Sequence, residues 1–204
     1  MSPTVIGLVG GIASGKSSVA AHFSSERSTT VVDADVLARR VLGQPAVKTA
    51  LHKRFPGMLV GGSLDRQKMA THVFSRPGAL AALEAILHPP IGRALRAAIR
   101  RARTPYVLVD APLLLETGLE TLCDWVIYVA CPARTRRRRA WTTRGWNEAD
   151  HRAREARQWN LRRKRAASDL IVDNGSSPER CRRDVRRALD RIEGTRRCIE
   201  GKKS

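Results

Sequence analysis

The chain has 204 residues, 42% of them hydrophobic, and 38 lysines and arginines against 19 aspartates and glutamates, a formal net charge of +19. That length and apolar content exclude a disordered chain and suit one α/β domain with a buried core. No apolar run approaches the ~20 residues of a membrane span, so no membrane partner is expected. Nor is a secretory signal, because no basic region precedes the first apolar run. The four cysteines, Cys123, Cys131, Cys181 and Cys198, include no CxxC pair and read as reduced thiols of a cytoplasmic protein.

Residues 4–9, TVIGLV, predict a short buried strand, followed by the glycine-rich turn GGIASGKS and a helix with Val19, Ala20 and Phe23 on one face. TTVVDAD predicts a second strand ending in two aspartates, and 36–55 a helix. FPGMLVGGSLD is a loop punctuated by Pro56, Gly57, Gly61 and Gly62. From Asp65 to about Arg103 the pattern is helical, with breaks expected at Pro77 and at Pro89-Pro90. YVLVDAPLLL and WVIYVAC predict two more strands, 133–168 a long basic helical region, and DLIVDN a fifth strand. The last helix begins with Ser177 as cap and Pro178 in its first turn. It buries Cys181, Val185, Leu189 and Ile192, and is expected to stop at Gly194. Strands alternating with helices imply an α/β fold with a central parallel sheet covered on both faces.

Gly10, Gly15, Lys16 and Ser17 meet the pattern G-x-x-x-x-G-K-[ST], set between an apolar strand and a helix. Such a loop turns backbone N–H groups inward as an anion nest, and the helix beginning at Gly15 adds its positive end. Lys16 reaches the β- and γ-phosphates of a nucleoside triphosphate, and the Ser17 hydroxyl is a Mg²⁺ ligand. No N-K-x-D guanine motif occurs, and Asp110 is followed by Ala-Pro-Leu, so a GTPase is disfavoured. A small kinase fits the length.

Phosphoryl transfer also needs a carboxylate for the acceptor proton. Asp33, at the C-terminal end of the second strand, is the candidate base. Asp35 either caps the next helix or touches the acceptor. Asp110 ends an apolar strand, where it either acts on Mg²⁺ through water or serves a turn. The basic region 134–165 supplies more arginines than a lid over ATP needs, and spacing alone does not choose among them.

The combination GGIASGKS, VVDADVLAR, LDRQKMATHVF, ILHPP, APLLLETGL and SDLIVDNG, in this order over residues 4–190, resembles the dephospho-CoA kinase family. The resemblance implies a P-loop kinase fold making up one domain, 1–194, with a helical acceptor-binding region at 62–104 and a lid at 133–168. A basic tail, 195–204, is expected to be disordered. The implied reaction is phosphorylation by ATP, with Mg²⁺, of the ribose 3′-hydroxyl of dephospho-CoA.

Matched residue by residue, the family assigns catalysis to Asp33, Lys16 and the lid residue Arg144. Nucleotide binding falls to Gly11, Ile12, Ala13, Ser14, Gly15, Lys16, Ser17 and Ser18, with Asn174 and Gly175 at the adenine. The acceptor side comprises Asp35, Arg39, His88, Leu113, Leu114 and Glu116. His88 has a second reading as a helix C-cap. Ser18 stands where the family commonly has threonine and Leu115 where it commonly has phenylalanine, and RGW at the lid turn is one residue short of the usual spacing.

Two rivals remain at this point. One is another small-molecule or nucleotide kinase, distinguished by its acceptor. The other is a nucleic-acid-binding protein, suggested by the +19 charge. Aromatic residues are only 4% of the chain, too few for an obvious base-stacking platform, so no specific nucleic-acid partner is expected. The oligomeric state is left open.

Overall fold

The structure is a computed structural model that describes residues 2–156 and 158–200. In chain order it contains β1 (Thr4–Gly10), α1 (Lys16–Glu26), β2 (Thr29–Asp33), α2 (Ala34–Leu42), α3 (Pro45–Arg54), β3 (Leu59–Val60), β4 (Ser63–Leu64), α4 (Arg66–Ser75) and α5 (Ala79–Arg101). Then follow β5 (Tyr106–Asp110), a 3-10 turn at Leu119–Leu122, β6 (Trp125–Ala130), α6 (Ala133–Arg144), α7 (Glu148–Glu155), α8 (Leu161–Ala166), β7 (Leu170–Asp173) and α9 (Pro178–Glu200). These elements form two compact units, Met1–Val32 with Ala102–Ser204, and Asp33–Arg101.

The first unit is built on a five-stranded sheet in the order β2-β5-β1-β6-β7. β1 pairs parallel with β5 (Thr4 opposite Tyr106) and with β6 (Ile6 opposite Trp125), and β6 pairs parallel with β7 (Ile127 opposite Leu170). The central strands read as unbroken apolar runs because both faces are covered: Val5 to Gly10 of β1 are all buried. Phe23 of α1 and Val185, Leu189 and Ile192 of α9 pack with Ile6, Leu8, Ile127 and Val129 in one core. Asp124 and Asp169 hold the N-terminal edge, each carboxylate accepting a strand amide, Val5 N at 2.8 Å and Val126 N at 2.7 Å.

The second unit has its own core of Val41, Val47, Leu51, Phe55, Met69, Val73 and Ala79. Several expectations are corrected here. The helix expected over 36–55 is two helices, separated where Pro45 begins α3. The expected loop contains the β3-β4 hairpin, antiparallel with Leu59 opposite Leu64. α5 runs unbroken through Pro89-Pro90. Two prolines in a helix interior each remove a backbone donor at a cost of about 3 kcal/mol. Burial of Ile86, Leu87, Ile91 and Ala94 against the core on both sides of the pair offsets it. His88 therefore lies inside a helix and caps nothing.

In the first unit, the basic region is three helices, α6, α7 and α8. The last helix does not stop at Gly194. α9 continues to Glu200, with the Thr195 hydroxyl bonded to the Arg191 carbonyl. A single interior glycine costs only about 1 kcal/mol against alanine, so the tail expected over 195–204 is helical as far as 200. Residues 201–204 lie outside the described residues.

Candidate active site

The loop between β1 and α1 leaves the centre of the sheet at its C-terminal edge. Gly15 caps α1 with φ 85°, a left-handed backbone that glycine adopts without strain. Ala13 takes φ 56°, uncommon for a residue with a Cβ and a mark of a functional turn. Ser14 N–H donates to the Gly11 carbonyl at 3.1 Å, closing the loop on itself. Past Gly15, the first N–H groups of α1 point along the helix axis toward the loop, the ordinary arrangement for binding an anion. Lys16 and Ser17 are the first two residues of this helix.

Ser17 Oγ lies 3.4 Å from Asp110 Oδ2, at the end of β5. A hydroxyl in the first turn of α1 and a carboxylate at the C-terminal end of β5 give two hard oxygen donors beside the phosphate loop. No cluster of three or more His, Cys, Asp or Glu side chains suited to a metal occurs among the described residues.

The turn after β7 braces the loop. Asn174 Nδ2 donates to the carbonyls of Ser14 at 2.8 Å and Gly15 at 3.1 Å. A Cβ on Gly15 would lie 2.1 Å from that nitrogen, and one on Gly175 would lie 2.0 Å from Pro132 Cδ. Gly175 N–H and the Ser176 hydroxyl both donate to Asp173. The Ser176 bond, then the Gly175 bond, hold the Asp173 carboxyl below the usual carboxylate range.

Two arginines of α6 join this arrangement. Arg139 donates to the Ser14 carbonyl at 3.3 Å and to the Asn174 carbonyl at 3.1 Å. Arg136, 4% exposed, lies against Gly11 and pairs with Glu155 of α7, which His151 Nδ1 also approaches at 3.5 Å. Cys131 is close by, but burial raises its thiol pKa against the opposing pull of Arg139, so it is no activated nucleophile. The Arg144 side chain lies outside the described residues.

The segment after β5 is held from below. Leu114 is fully buried, and Leu113 is 41% exposed. Glu116 Oε1 accepts from Trp159 N–H at 2.7 Å and pairs with the fully buried Lys164 at 2.9 Å.

In the unit Asp33–Arg101, Asp33 is exposed and caps α2, its Oδ1 accepting from Val36 N–H at 2.9 Å. Asp35 stands in the first turn of that helix and is not its cap. Asp35 and Arg39 line a cavity of about 440 Å³ with Arg66, Leu42, Met69 and Leu83, an apolar floor with charged groups at its side and a volume in the ordinary range for small-molecule sites. His88 is partly buried on α5.

The family model for dephospho-CoA kinase matches residues 4–179. The chain belongs to the dephospho-CoA kinase family. It is 41% identical over 196 residues to the dephospho-CoA kinase of Deinococcus radiodurans, with 95% of this chain and 94% of that protein covered. It is 36% identical to that of Thermus thermophilus, over 94% and 93%. A crystal structure of TT1252 from Thermus thermophilus superposes with a TM-score of 0.80 at 36% identity, covering 96% of this chain and 98% of the other. A shikimate kinase from Acinetobacter baumannii, at 15% identity and a TM-score of 0.53, shares the fold. The chain is thus a kinase of P-loop architecture, and that fold uses a nucleotide.

For a dephospho-CoA kinase family member, the structure gathers Gly11 to Ser17, Asp110, Asn174 and Gly175 around one loop. It places Asp35 and Arg39 on one cavity and Asp33 at the start of the same helix. Reading by residue did not select Arg136, Arg139, Lys164 or Arg66. The first three sat unresolved in the pool of basic residues at 134–165. Arg66 stood in a quoted motif, LDRQKMATHVF, without a role.

Proposed function

We propose that this chain transfers the γ-phosphoryl group of ATP to the 3′-hydroxyl of the ribose in dephospho-CoA, giving CoA and ADP. The phosphate loop braced by Asn174, with Ser17 and Asp110 beside it, is the observation that carries the reading, in a chain of this family. The loop amides and Lys16 bind the β- and γ-phosphates and stabilise charge as it spreads over the moving group. Arg139, bonded to the loop and to the Asn174 turn, keeps the nucleotide end of the site in shape.

Ser17 and Asp110, two hard oxygen donors 3.4 Å apart, are the residues that would hold Mg²⁺. Bound there, the ion supplies charge neutralisation on the β- and γ-oxygens. Asp33 accepts the 3′-hydroxyl proton, its Oδ1 engaged by the helix amide so that the carboxylate is oriented. The cavity beside Asp35 and Arg39 suits the acceptor, its apolar floor the aliphatic arm and its arginines the phosphates.

The experiment is an incubation with Mg-ATP and dephospho-CoA, run beside a panel of nucleoside monophosphates, with products identified by mass spectrometry. One phosphate added to dephospho-CoA alone, at the 3′ position, is the expected result. Transfer to a monophosphate instead, or to no acceptor, overturns the reading.

A further inference from the structure

Lys164 and Arg136 are the buried lysine and arginine among the described residues, Lys164 with no exposed surface at all. The Lys164 ammonium has three donors, and three oxygens receive them: Glu116 Oε1 at 2.9 Å, the Pro112 carbonyl at 2.9 Å and Gln158 Oε1 at 3.1 Å. Two of these acceptors belong to the segment directly after Asp110, and one to the residues leading from α7 into α8. Glu116 reciprocates by accepting from Trp159 N–H, and Arg163 lies over the Trp159 ring, 3.3 Å from its centre. A buried ion pair contributes little net stability compared with apolar side chains of the same shape. What it does supply is a fixed register between the two segments it joins.

We propose that Lys164 is a positioning residue for phosphoryl transfer. Through Glu116 it ties the segment following Asp110 to α8 and to the connection that leads into it from the arginine-bearing helix α7, and this tie keeps water away from the γ-phosphoryl group. The inference rests on the proposed kinase reaction. In transfer, the bond between the γ-phosphorus and the β-γ bridging oxygen breaks, and a new bond forms to the ribose 3′-oxygen, whose proton leaves. In the leak, the same bond breaks and a water oxygen takes the phosphoryl group, giving ADP and inorganic phosphate. A loosened tie admits water and raises the second outcome relative to the first.

The test measures ADP formed per phosphorylated dephospho-CoA, for the full-length protein and for Lys164→Met and Glu116→Gln. Glu116→Gln keeps an acceptor for Trp159 N–H and Lys164 while removing the charge, so it serves if Lys164→Met folds poorly. The ratio is a property of each folded molecule and does not change with the fraction of protein folded. The wild type is expected near one, and either variant at least threefold higher, with ATP affinity in the absence of acceptor unchanged. A ratio that stays at the wild-type value in Glu116→Gln, and in whatever folded fraction Lys164→Met yields, overturns the proposal. A wild type that consumes ATP without phosphorylating dephospho-CoA instead overturns the functional reading on which it rests.

Discussion

The Asn174 side-chain amide donates to the Ser14 carbonyl at 2.8 Å across 160 residues of sequence. With its second bond, to the Gly15 carbonyl, it engages both carbonyls and fixes the backbone where the loop enters α1. Each neutral hydrogen bond is worth about 1 kcal/mol net, so Asn174→Ala removes about 2 kcal/mol of loop bracing. ATP affinity should fall by about tenfold or more, measured by titration calorimetry, and the melting temperature should drop by roughly 4–8 °C. An unchanged affinity would separate Asn174 from the phosphate loop's function.

Gly15 is the most constrained position of the loop. Its φ of 85° and the 2.1 Å approach of Asn174 to a notional Cβ act together. Gly15→Ala should abolish nucleotide binding while the sheet persists, seen as retained circular dichroism without calorimetric heat of ATP binding. Normal binding by this variant would mean the loop adopts another conformation.

Asp33 combines a structural and a proposed chemical role, and two substitutions separate them. Asparagine is as good a helix cap as aspartate, whereas alanine costs about 1 kcal/mol at that position. Asp33→Asn should therefore keep the melting temperature and lower kcat by about 100-fold. Asp33→Ala should lower both. A near-wild-type rate in Asp33→Asn removes it as the base.

Asp173 gives a pH prediction. Its folded-state carboxyl is held below the ordinary value by the Ser176 hydroxyl and the Gly175 amide. A depressed carboxylate contributes stability that is present above its unfolded value, about 3.9, and is lost as pH falls through the folded value. The difference in melting temperature between the wild type and Asp173→Asn should be constant at neutral pH and shrink below about pH 4. A difference independent of pH would show that the charge on Asp173 contributes nothing.

Gly7 tests packing beneath the segment after β5. A Cβ there would come within 2.4 Å of Leu114 Cδ2 and 3.0 Å of Cys123 Sγ. Leu114 is fully buried, so Gly7→Ala should destabilise by about 1–3 kcal/mol in urea denaturation. Adding Leu114→Val should recover part of that loss, and failure to do so would place the strain elsewhere.

The five strands of the parallel sheet, the phosphate loop and the start of α9 were legible because each is set by local chemistry: β-branched apolar runs, a glycine-lysine-serine turn, a serine-proline cap. Asp33 at the end of β2 was legible from the apolar run before it, but the helix cap was expected at Asp35 and belongs to Asp33. Pro89-Pro90 misled, because a local rule that ends a helix was outweighed by burial on either side of it. The choice of Arg136, Arg139 and Lys164 from a run of basic residues was not legible. Their partners, Gly11, Ser14 and Glu116, lie tens of residues or more away, and adjacent arginines look alike until the sheet brings one of them to a carbonyl.

The sheet order also has a consequence for synthesis. β1 is synthesised well before its partners in the sheet, whose pairing begins at Tyr106 and Trp125. At about 5–20 residues per second of translation, β1 waits on the order of 5–20 s, an apolar strand without a partner. During that interval the unit Asp33–Arg101 emerges complete, with its own core. Its local collapse would shorten the span of loose chain between β1 and β5, lowering the entropy cost of closing that gap. The inserted helices would then assist the nascent chain before any nucleotide is bound.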